Sequence, residues 1–247
     1  SNYKTEEPDL TEYLTELRQK PGYRYLFSKR CVSEYTEKIL RETRKERKKQ
    51  EGSFIELDAT KKEEDKSNKP QKPEKFLSIA KDNQILVLLG EAGSGKTTTL
   101  RHYFKECLTN LEDDTPGQKT PVFIKLKRFK EHTIQPLEKT LSNLILTTIN
   151  NKLDSFSQIS IDEINLSKDF IFLFDGLDEI TDSESYKATI EQLQILFTNI
   201  SNEGNSKVII SCRSRDYHNS FNQYSSYELK ALENYQIKNY LSDFLNK

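Results

Sequence analysis

Apolar residues fall in two rhythms along this chain. Short runs with few or no polar gaps, ILVLL at 85–89, PVFIKL at 121–126, FIFLF at 170–174, KVIIS at 207–211 and YELKAL at 227–232, predict strands. Between them apolar positions recur every three or four residues. Leu100, Tyr103, Phe104, Cys107 and Leu108 form one such stripe, and Leu137, Leu141, Leu144, Ile145 and Ile149 a second. Tyr186, Ile190, Leu193, Phe197 and Ile200 make a third, and Ile237, Tyr240, Leu241, Phe244 and Leu245 open a last helix. FIFLF is apolar at every position, which suits a strand buried on both faces of a parallel sheet. Strands alternating with helices predict an open α/β fold: a mostly parallel, five-stranded sheet with helices on both faces.

The first third of the chain follows a different pattern. Leu10, Tyr13, Leu14 and Leu17 predict a helix after Pro8-Asp9, and Cys31, Val32, Tyr35 and Ile39 a second one. That helix runs into the basic stretch RETRKERKK at 41–49, where Glu42 and Glu46 interrupt the charge and no aromatic interleaves, so a solvated helix face is expected. Phe54, Ile55 and Leu57 are an apolar island, either a strand or a segment that docks on the main domain. From Lys61 to Lys75 the chain is charged, mixed in sign and twice broken by proline, so a linker or surface loop is expected. The expected division is a helical N-terminal segment at 1–60, a linker at 61–75, the main α/β domain at 76–231 and the start of a helical domain at 232–247. A short helix through Ala80 leads into the first strand.

Composition narrows the functions open to such a fold. At 247 residues, 31% of them charged and 34% hydrophobic, one domain with a real core plus polar extensions is expected. Thirty-eight basic against 39 acidic residues leave a net charge of −1, so no overall field draws nucleic acid or an anionic membrane. Cys31, Cys107 and Cys212 are odd in number and widely spaced, which argues against a disulfide framework or a zinc site and suits a reducing compartment. No apolar stretch reaches the length of a membrane span, and a soluble, cytoplasmic protein is expected. Beginning at Ser1 and ending inside an amphipathic pattern, the chain reads as part of a longer protein.

Candidate chemistry starts where the first strand ends. Gly90, Glu91, Ala92, Gly93, Ser94, Gly95, Lys96, Thr97 and Thr98 spell G-x-x-x-x-G-K-T-T between a buried strand and a helix, the setting in which that spacing forms a phosphate-binding loop. The glycines let successive N–H groups face one concavity, and the helix N-terminus adds partial positive charge. Lys96 would bridge the β- and γ-phosphates, and the Thr97 hydroxyl would hold Mg²⁺.

A second cluster says what could happen to the nucleotide. In FIFLFDGLDEI, Asp175 ends the central strand, placed beside the phosphate loop, where a carboxylate can hold Mg²⁺ directly or through water. Gly176 permits a tight exit, and Asp178 or Glu179 could then orient or deprotonate the attacking water. Arg213 closes VIISCR at another strand's C-terminal end, where it could read the γ-phosphate; Arg215 and Asp216 follow and could simply pair. Asn151-Lys152-Leu153-Asp154 matches a guanine-reading tetrad but trails a helix and precedes the Asp175 strand. It is read as coincidence, with adenine as the base.

On GEAGSGKTT, FDGLDE, VIISCRSRDY and the closing YELKALENYQIKNYL, the sequence resembles the NACHT family of STAND-class P-loop NTPases, including bacterial members related to animal NOD-like receptors. The resemblance spans Phe76 to the C-terminus. It implies a three-layer P-loop NTPase fold binding ATP or ADP with Mg²⁺, with Lys96 and Thr97 on phosphate and metal and Asp175 on Mg²⁺. It also implies Asp178 or Glu179 in hydrolysis and Arg213 as sensor. The small residue at Gly176, followed by acids at 178 and 179, is the discriminating feature; many related ATPases put the catalytic Glu directly after the magnesium Asp. Members of the family act as switches in signalling and innate defence, closed and monomeric with ADP, open and self-associating with ATP. Two other readings stay open at this point: an ATP-driven remodeller or nucleic-acid motor, which would need fast polymer-stimulated turnover and a coherent basic channel, and a scaffold that holds nucleotide as a structural ligand.

Overall fold

The run ILVLLG becomes a strand buried at every position because it has a parallel neighbour on each side and helices above and below. The computed structural model describes residues 16–47, 54–62, 72–112, 118–127, 141–154, 157–167, 170–203, 205–232, 236–238 and 242. In chain order its elements are α1 (Pro21–Arg47), β1 (Asp58–Lys61), β2 (Glu74–Lys75), α2 (Phe76–Asp82), β3 (Ile85–Gly90) and α3 (Lys96–Glu112). There follow β4 (Thr120–Lys125), α4 (Leu141–Asn150), α5 (Ile161–Ser167), β5 (Phe170–Asp175), α6 (Ser183–Glu203), β6 (Lys207–Arg213) and β7 (Ser225–Leu229). Leu137 lies outside the described residues, as do Leu10, Tyr13 and Leu14 of the N-terminal stripe, whose Leu17 is helical, and most of the last stripe, of which 236–238 and 242 are helical.

The sheet runs β2-β1-β7-β3-β6-β5-β4. The five strands from β3 to β7 are parallel and match the five apolar runs. The expected count of five is nonetheless too low, because β1 pairs antiparallel with β7 and β2 with β1, giving seven. DATK and EK carry no apolar alternation; DATK is a strand because the open edge of β7 supplies hydrogen-bond partners, and EK because β1 then does the same. Helix α1 ends at Arg47, residues 54–57 have no regular structure, and β1 begins at Asp58.

Side chains alternate across the sheet. Ile85, Val87 and Leu89 of β3, Phe170, Phe172 and Phe174 of β5, and Val208, Ile210 and Cys212 of β6 share one core with residues of α1, α4 and α6. Leu86, Leu88, Ile171, Leu173 and Ile209 face the other way, against Phe76, Ile79 and Ala80 of α2 and Leu100, Tyr103 and Cys107 of α3. By the same period of two, Asp175, Ser211 and Arg213 point toward the α3 side, which places polar chemistry only where strands β5 and β6 reach their C-terminal ends.

Helix α1 packs on the main domain through Ser28, Cys31, Tyr35, Ile39 and Thr43, all buried at helical spacing. Arg18 grips the buried Glu163 carboxylate at 2.9 Å, and the Ser28 hydroxyl donates to the Glu163 carbonyl at 2.6 Å. The basic stretch is a paired helix face: Arg41 meets Glu37, Arg44 meets Glu112 at 2.7 Å, and Glu42 meets Lys152 at 2.6 Å. Between α1 and α2, the island at 54–57 docks as one of its two expected alternatives, with the strand starting just after it. Phe54 stacks on His102 of α3 with ring centroids 3.6 Å apart, and Leu57 is buried beside the start of that helix.

Candidate functional site

Gly90 closes β3, Glu91 to Gly95 form the turn, and Lys96, Thr97 and Thr98 open α3, so the nine loop residues singled out in the sequence form one continuous structure. Gly95 sits at φ +92°, a backbone conformation that costs an L-residue roughly 1–2 kcal/mol, and a Cβ there would lie 3.0 Å from Leu57 Cδ1. The turn is thus held both by its own backbone and by the segment docked from upstream. Lys96 Nζ donates to the Gly90 carbonyl at 2.6 Å and the Glu91 carbonyl at 2.9 Å, with Ser94 Oγ at 3.5 Å. Burial pushes this ammonium below its ordinary 10.5, with Asp178 opposing and Arg213 reinforcing the shift. Those charges converge on one point of the sheet edge.

Thr97 Oγ1 lies 3.0 Å from each carboxylate oxygen of Asp175. Asp175 stands beside the loop as expected, but β6 lies between β5 and β3 in the sheet, so the two groups meet across about two strand spacings, roughly 10 Å of backbone. Asp175, 7% exposed, spans that gap because α3 crosses above it. A hydroxyl and a carboxylate in contact are two hard oxygen donors, a fit for Mg²⁺, which takes its remaining ligands from phosphate and water. Among the described residues no group of three or more His, Cys, Asp or Glu side chains could hold a metal alone.

Past Asp175, Gly176 adopts φ +80° and caps the single 3₁₀ turn Leu177–Glu179. A Cβ at 176 would lie 2.9 Å from Glu179 Cδ, so the bare glycine leaves the room in which the Glu179 carboxylate folds back over the turn. Glu179 is exposed, and its carboxylate has no hydrogen-bonding or ionic partner among the described residues. Asp178 is the opposite case. Its carboxylate, 6% exposed, accepts from the Arg213 backbone N–H at 3.0 Å through Oδ1 and from Arg213 Nε at 2.8 Å through Oδ2. Arg215 pairs with Asp216 at 3.4 Å, the local pairing the sequence left open.

Residues 84–247, about two thirds of the chain, match the NACHT domain family. The chain belongs to the NACHT family. As a NACHT domain it is a nucleotide-binding P-loop NTPase, and such domains generally bind nucleotide with Mg²⁺. No curated protein matches the chain. Within this NACHT domain the 151–154 tetrad faces away from nucleotide chemistry: Lys152 pairs with Glu42 and Asp154 with Lys38 at 2.7 Å, both on α1.

One part of the site escaped the sequence reading. Ser211 on β6 donates to Asp175 Oδ1 at 2.9 Å and accepts from the Gly176 N–H at 2.9 Å. A hydroxyl inside VIISC, a strand otherwise buried and apolar, was the available signal, since such a group needs a partner. The docked segment at Phe54 and Leu57, one of the two alternatives expected for the apolar island, lies outside the region matched to the family.

Proposed function

We propose that this NACHT domain is an ATP/ADP switch with slow, Mg²⁺-dependent ATP hydrolysis, serving a cytoplasmic signalling or defence protein. The observation that carries the reading is the Asp178–Arg213 pair. It joins the acidic turn after β5 to the arginine after β6, so that whatever Arg213 touches is felt at Glu179 one residue away. Lys96 exchanges its contacts with the Gly90 and Glu91 carbonyls for the β- and γ-phosphates. Mg²⁺, held by Thr97 and Asp175, would neutralise charge on the phosphates.

With both Asp178 oxygens taken up by Arg213, Glu179 is the residue assigned to water. Water adds to the γ-phosphorus, the bond to ADP breaks, and Glu179 takes the proton. Arg213, aimed by Asp178, reads the γ-phosphate. Nucleotide can shift a closed, monomeric form toward an open, self-associating one only by as much as it prefers the second, and the γ-phosphate contact is the source of that preference.

Denaturing the purified protein and identifying the released nucleotide tests the resting state: ADP supports the switch, GDP overturns the choice of base. Glu179→Gln should slow ATP hydrolysis by about 10²–10⁴-fold with ATP and ADP affinities within about twofold of wild type. Unchanged turnover would remove Glu179 from the chemistry.

A further inference from the structure

We infer that Ser211 is a positioning residue for the metal carboxylate, fixing which oxygen of Asp175 it presents. The inference rests on the assignment of Thr97 and Asp175 to Mg²⁺ made above. Ser211 is 1% exposed and stands on β6, the strand that separates Asp175 from the phosphate loop. A serine hydroxyl has one proton to give. Because the Gly176 N–H points at its oxygen, that proton is committed to Asp175 Oδ1. Among the described residues, Oδ1 therefore has the Ser211 proton and a share of the single Thr97 proton, whereas Oδ2 has only a share of the Thr97 proton.

When Thr97 turns its oxygen toward a cation, its bond to Asp175 is lost. Ser211 then remains as the hydrogen bond that holds the carboxylate's orientation, with Oδ2 left without a donor. The same hydroxyl ties down the Gly176 N–H, so it also fixes the start of the turn that carries Asp178 and Glu179. Alanine at 211 would leave both Oδ1 and the Gly176 N–H short of a buried partner.

The test is ADP affinity of the full chain by fluorescence titration, in EDTA and across a Mg²⁺ series, for wild type and for Ser211→Ala, Ser211→Thr and Thr97→Ala. A buried hydrogen bond to a charged group is of the size that gives roughly tenfold. Ser211→Ala should therefore raise the Mg²⁺ concentration for half-maximal tightening about tenfold, leaving affinity in EDTA unchanged. Ser211→Thr, which keeps the hydroxyl, should stay within about twofold of wild type. A wild-type Mg²⁺ midpoint in Ser211→Ala, an equal loss with and without Mg²⁺, or a threonine variant as defective as alanine overturns the inference. Thr97→Ala reports on the underlying assignment: if it too keeps the wild-type midpoint, the metal site itself is wrong, and if it alone shifts, only the role of Ser211 falls.

Discussion

Substituting Asp178 by Asn tests the coupling between the acidic turn and Arg213 most directly. The asparagine oxygen can still accept from the Arg213 backbone N–H, but its amide nitrogen then confronts Nε–H, donor against donor. A charge-assisted bond is lost, about 2 kcal/mol for a buried group. Asp178 is 6% exposed but the Arg213 side chain is 37% exposed, so solvent screening lowers the expected cost to about 1.5 kcal/mol. For a domain of this size that is a fall of roughly 3–6 °C in melting temperature. A double-mutant cycle with Arg213→Gln, read by urea unfolding of the nucleotide-free protein, should give a coupling energy of about 1–1.5 kcal/mol. The same Asn variant should narrow the preference for ATP over ADP, because the guanidinium is no longer aimed. Additive effects within about 0.5 kcal/mol, the level expected of independent sites, would refute the pairing as an energetic unit.

Two further perturbations probe the loop itself. Burial holds Lys96 below 10.5, and phosphate favours its charged form, so the complex keeps a proton that the free protein sheds in alkaline solution. ADP affinity should be full at neutral pH and fall as pH rises through the depressed value; calorimetry from pH 7 upward checks this, and a flat or rising profile counts against it. The stability sign is opposite: the unfolded chain binds more protons between the depressed value and 10.5, so this group's contribution to stability improves as pH rises across that window. Leu57→Ala opens a cavity beside Gly95 and should cost about 2–3 kcal/mol, roughly 4–12 °C, and weaken ADP binding as well. A lower melting temperature with unaltered ADP affinity would mean that the docked segment does not brace the loop.

Those parts of the fold that depend on local pattern were legible in the sequence. Five runs with few or no polar gaps correspond to the five parallel strands, and the loop motif sits between β3 and α3 as its spacing requires. What escaped depends on partners distant in the chain. Strand order is set by how helices pack across the sheet, so nothing in FIFLFD reveals that β6 intervenes before the loop. Helix α5 was missed although a capping signal was present: Ser160 and Glu163 are three residues apart, with the Ser160 N–H donating to Glu163 at 2.8 Å. Seven residues of helix are too few to show a stripe. At the site, Asp178 and Glu179 are indistinguishable as letters; only the 3₁₀ turn, which sends one side chain inward to Arg213 and leaves the other at the surface, separates them.

The two margins of the sheet bear on how copies of such a molecule can meet. An open strand edge is a template for uncontrolled pairing between copies. At one margin β7 is covered by two short strands rich in charge, Asp58 and Lys61 on β1 and Glu74 and Lys75 on β2, too brief and too polar to recruit another chain. At the other, β4 carries Pro121, which has no N–H to offer, and α1 lies against it with the Tyr35 hydroxyl on the Pro121 carbonyl at 3.4 Å. Among the described residues, growth by strand addition is therefore disfavoured at both margins, and contact between copies falls to helices and loops instead.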